Sequence, residues 1–76
     1  MRKDILRALE KSFLSQIDRH RINVEVMLEN PRAIHEHTDI MAAIEKEIAH
    51  MSEYEDKLNV LTNYFNNEGD DEYVDR

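Results

Sequence analysis

Between residues 40 and 65 apolar side chains recur at Ile40, Ile44, Met51, Tyr54, Leu58, Leu61 and Phe65, in steps built from threes and fours, and Ile48 borders the same stripe. At 3.6 residues per turn such steps line up on one side of an α-helix, and a stripe of this kind holds its helix together only when another surface covers it. The pattern predicts a helix over residues 38–66. Thr38 and Asp39 are both suitable N-caps, and Asp39 also suits the positive end of the helix. A second stripe, formed by Leu6, Leu9, Phe13, Ile17, His20, Val24 and Met27, falls within an arc of about 100° and predicts a helix over residues 3–28. Asn30-Pro31 ends it, because proline clashes with a preceding helical turn and drives the residue before it toward extended geometry. Residues 29–37 form a connector. With Asn30 as a cap and Pro31 in a first helical position, part of that connector is open to being helical as well. Asn66, Asn67 and Gly69 close the second helix, leaving residues 67–76 as an acidic tail expected to be mobile unless Tyr73 and Val74 dock.

Two helices of similar length joined by a short connector fold back antiparallel or open out to pair with other chains. The expected architecture is all-α, a two-helix antiparallel hairpin over residues 1–66 that dimerises into a four-helix bundle. Dimerisation is expected because in a lone hairpin each stripe is only half covered, and small chains seldom bury enough apolar surface alone. The interface core is assigned to Leu6, Leu9, Phe13, Ile17, Val24, Met27, Ile40, Ile44, Ile48, Met51, Tyr54, Leu58, Leu61 and Phe65. Ile22 and Val26 lie on the back of the first helix, and Val60 and Tyr64 lie off the seam of the second. These four widen the apolar surface and are assigned to contact with a different protein.

Composition removes several alternatives. The 76 residues, 41% apolar and 36% charged, suit one small folded domain, and the single Gly and single Pro leave almost no turn material for a sheet. There is no cysteine, so disulfides and thiolate metal sites are excluded, and a reducing compartment fits. The apolar runs are too short to span a membrane, and Asp4, Glu10 and Lys11 interrupt the first residues as no signal peptide allows. A cytoplasmic location follows as the expectation. Net charge is −7, unevenly spread: residues 1–24 carry six basic and three acidic side chains, residues 25–76 four basic and fourteen acidic, or +3 against −10. That split favours pairing of unlike halves and disfavours nucleic acid as a partner.

Candidate chemistry is sparse. Glu47-Ile48-Ala49-His50 is a Glu-x-x-His on a helix, the spacing by which ferritin-like bundles hold two irons, so a small metal-binding bundle using Glu47 and His50 is an alternative reading. A complete site also requires an inward Glu from the other helix, and Glu10, Glu25 and Glu29 are not obviously placed for it. By helical rotation His50 points toward the flank of its helix. His35-Glu36-His37 with Asp39 is a second cluster without enough ligands for zinc. His20 interrupts the first stripe as a core or interface histidine in search of a polar partner, and Glu47 is a candidate for that role. Glu45, Glu53, Glu55 and Asp56 read with Glu47 as a solvated face, with Glu53 and Lys57 as an i,i+4 pair. Ser12, Ser15 and Ser52 have no glycine elbow, and no phosphate-cradling loop is present, so no catalysis, cofactor or small-molecule substrate is expected.

The runs His20-Arg21-Ile22-Asn23-Val24-Glu25-Val26, Asn30-Pro31, His37-Thr38-Asp39-Ile40-Met41 and Tyr54-Glu55-Asp56-Lys57-Leu58 resemble short helical proteins encoded by tailed bacteriophages. The resemblance implies a phage setting and carries neither an activity nor site residues. In that setting a small acidic helical protein is expected to bind a host or phage protein, or to serve as a virion or assembly subunit.

Overall fold

The computed structural model describes residues 1–29 and 37–65, with residues 37 and 38 described by their backbone alone. Two helices, α1 (Arg2–Leu28) and α2 (His37–Tyr64), pack against each other as an all-helical hairpin. Most of the predicted connector and the acidic tail lie outside the described residues, as do His35 and Glu36 of the second histidine cluster.

Helix α1 begins one residue earlier than its pattern predicts. Met1 is its N-cap and offers no side-chain bond, so the first turn closes through the Ile5 amide on the Met1 carbonyl at 3.1 Å, with Asp4 at the positive end of the dipole. At the other end Glu29 keeps helical dihedrals, φ −89° and ψ 0°, and its amide donates to the Glu25 carbonyl at 3.0 Å. Helix α2 runs from His37, and Asp39 lies in its first turn, at the positive end of the dipole. It ends at Tyr64, with Phe65 in a closing turn.

Antiparallel pairing is read from three contacts. Arg2 Nη2 donates to the Phe65 carbonyl at 2.9 Å, Phe13 and Tyr54 face each other with ring centroids 6.3 Å apart, and His20 Nδ1 meets Glu47 Oε1 at 2.6 Å. From Phe13 to His20 is one heptad forward along α1, and from Tyr54 to Glu47 is one heptad back along α2. One heptad the other way sets Leu6 opposite Leu61. These two are the only buried apolar side chains among the described residues. The facing stripes keep a strict alternation of three and four: Leu6, Glu10, Phe13, Ile17, His20, Val24 and Met27 on α1, and Ile40, Ile44, Glu47, Met51, Tyr54, Leu58 and Leu61 on α2, all buried or half-buried. That is the 3.5-residue period of a coiled coil, and the period decides which side chains go inside.

The strict period changes part of the expected stripe. Glu10 takes the seam position next to Leu6, and Leu9, a quarter-turn away on the same helix, is 39% exposed. On α2, Glu47 takes the position that Ile48 borders, leaving Ile48 49% exposed. Phe65 is also 49% exposed, since it lies past the end of the helix. Among the described residues no helix is long and apolar enough to cross a membrane.

Candidate functional site

The middle of the seam is polar. His20, Asn23 and Glu47 meet there, brought together because His20 and Glu47 occupy facing heptad positions and Asn23 follows one turn after His20. A carboxylate only accepts, so the imidazole Nδ1 carries the proton and donates to Glu47 Oε1. Asn23 Nδ2 donates to the same oxygen at 3.1 Å. The side chains of His20 and Glu47 keep only 16% and 19% of their exposure. The bond from His20, and then that from Asn23, hold the Glu47 carboxyl below the ordinary carboxylate range. Partial burial opposes them, and the charges of His20 and His50 add a smaller pull in the same direction.

Rings extend the layer along one edge of the hairpin. His50 stacks on His20 with centroids 4.7 Å apart and planes 23° from parallel, and Tyr54 lies on the same ring at 6.2 Å. Lys57 Nζ stands 4.8 Å from the Tyr54 centroid while also pairing with Glu53 at 3.3 Å. At this exposure the cation–π contact is worth about 1 kcal/mol at most, and the i,i+4 pair about half that or less. Glu47 thus separates from Glu45, Glu53, Glu55 and Asp56, which remain on the exposed surface of α2.

Of the residues considered for metal binding, Glu47 spends its inner oxygen on His20 and Asn23, and His50 lies at the seam edge with its ring flat on His20. Among the described residues no group of three or more His, Cys, Asp or Glu is placed to hold a metal ion. Asn23 is the member of the layer that sequence reading did not single out. Its signal was its place three residues after His20, on the same side of the helix.

Large apolar side chains are also exposed outside the seam. The four residues assigned to another protein are all exposed: Ile22 51%, Val26 57%, Val60 47% and Tyr64 71%. Ile5, Leu14, Leu28, Met41 and Ile48 are exposed too. Met41, Ile44, Glu45 and Ile48 line an open groove of about 360 Å³ along α2. Met27, Val24, Ile40 and Met51 remain half-buried in the seam.

Compared with protein-family models, with curated proteins and with solved structures, the chain gives no significant match.

Proposed function

We propose that this chain is a non-enzymatic protein-interaction module that associates first with a second copy of itself and then, through helical surface, with a different protein. One observation carries the reading. Among the described residues the hairpin buries only Leu6 and Leu61, while twelve large apolar side chains are exposed. Soluble monomers do expose single aliphatic residues, but a chain with so few buried ones has little to hold it folded alone. Association with a second copy covers the open side of the seam. Ile22, Val26, Val60 and Tyr64 then remain for a host or phage protein in the phage setting that the sequence resemblance implies.

The test is solution mass by light scattering across a hundredfold range of concentration, with helicity followed by circular dichroism at each point. A dimer whose helicity falls as it dissociates is the expected result. A fully helical monomer at every concentration overturns the reading, since such a hairpin needs no partner.

A further inference from the structure

The two edges of the seam differ in chemistry. Viewed along α2 from Glu47, His50 lies about 60° to one side, and Ile44 and Ile48 lie about 60° and 100° to the other. The ring stack of His20 on His50 marks the first edge, which also carries Asn23, Tyr54 and Lys57. The second edge carries the groove of Met41, Ile44 and Ile48, and the same rotation on α1 brings Leu14 and Ile17 to it. One edge is thus filled with hydrogen-bonding and charged groups already engaged with one another. The other is open and lined mainly by aliphatic side chains, with Glu45 beside them.

We propose that the groove edge seats a second copy of this chain, with each α1 lying along the α2 of the other copy and both bends at one end of a four-helix bundle. The inference rests on the self-association reading and adds the face and the orientation. Charge chooses the orientation. Helix α1 carries six basic and four acidic side chains, and α2 carries two basic and six acidic. Packing α1 on α2 between copies joins unlike helices, whereas packing α1 on α1 and α2 on α2 joins like with like. With both bends at one end, residues of the two copies keep the heights they have within one hairpin. Arg21, about 100° round from His20 and so on the groove edge, is then level with Glu45 on the α2 of the other copy, an unlike pair, and both are exposed.

The experiment compares tag-free wild-type protein with Ile48→Glu, Ile48→Ala and Ile22→Glu by light scattering over the same concentration range, at low and at high salt. Ile48→Glu is expected to weaken the dimer at least about tenfold and Ile48→Ala several-fold, with Ile22→Glu unchanged. Alanine is the safer helix former at this exposed site, so its effect does not come from failure to fold. Added salt is expected to weaken the wild-type dimer, because unlike charges are being screened. A wild-type monomer overturns both this inference and the self-association on which it rests. A wild-type dimer that both Ile48 variants leave intact, or that Ile22→Glu weakens as much as they do, overturns the face alone. A dimer that tightens with salt overturns the orientation.

Discussion

The open end of the hairpin and its middle are built on the same heptad pattern and do different work. At the open end Leu6 and Leu61 face each other, both buried, and Arg2 reaches across to the Phe65 carbonyl. That carbonyl belongs to the negative end of α2, whose last turn has no basic side chain of its own, so α1 supplies the cation. In the middle, the seam gives up apolar contact for the bond between His20 and Glu47. Apolar layers are nearly interchangeable, so they stabilise without choosing a register. A polar layer is satisfied only when its members meet, and a slip by one heptad leaves His20 and Glu47 each facing an apolar side chain. Stability and alignment are thus held by separate layers of one seam.

The largest effect is expected at the apolar layer. Leu61→Ala should cost about 2–3 kcal/mol, toward the low end of the range for buried leucines because the site is near the hairpin's end. Urea unfolding followed by circular dichroism, at one fixed protein concentration, measures it. A loss of under about 1 kcal/mol there would show that the open end contributes little.

A smaller change of opposite sign is expected in the middle. Replacing His20 and Glu47 together by leucine should raise the thermal midpoint by about 5 °C, since a polar pair in a seam is often less stabilising than apolar packing. The same variant should show more than one set of amide resonances, where the wild type shows one, because its register is no longer specified. A single set in the variant would mean that the helix ends, not the polar layer, choose the alignment.

The smallest effect is in pH dependence. Glu47's carboxyl is held below its ordinary value of 4.5, so the unfolded chain takes up a proton there more readily than the folded one. Its contribution is present above the ordinary value and is lost as the pH falls through the lower, folded one. Denaturation midpoints of the wild type and Glu47→Gln should therefore converge as the pH is lowered from 6 to about 3. Parallel curves over that range would remove Glu47 from the acid response.

The helical hairpin was legible because two stripes of threes and fours and one Asn-Pro stop leave few other arrangements. What the pattern did not resolve was which neighbour of each stripe goes inside. Leu9 and Glu10 compete for one seam position, and so do Glu47 and Ile48. Hydrophobicity favours the aliphatic residue in both cases, while the 3.5-residue period selects the acid. At Glu47 the choice is repaid by His20 and Asn23 on the facing helix, and a partner on another helix is invisible to any rule that reads one helix at a time. The pairing of His20 with Glu47 could be suspected, since each was a polar residue in an apolar stripe. Helix α2 runs from His37, within a residue or two of the start that the caps Thr38 and Asp39 suggest, and Asp39 lies in its first turn.

The contact between Arg2 and Phe65 spans 63 residues, whereas His20 and Glu47 are 27 apart. Closing the longer loop costs only about 0.7 kcal/mol more in chain entropy, yet that suffices to set an order in time. The hairpin should zip from its middle outward, with the polar layer aligned before the leucine pair closes, so that the register is chosen while the open end is still apart. The same order run backward makes the open end the first to fray. Backbone amides near its leucines should exchange with solvent before those around Val24 and Ile44, and uniform protection along both helices would count against this sequence of events.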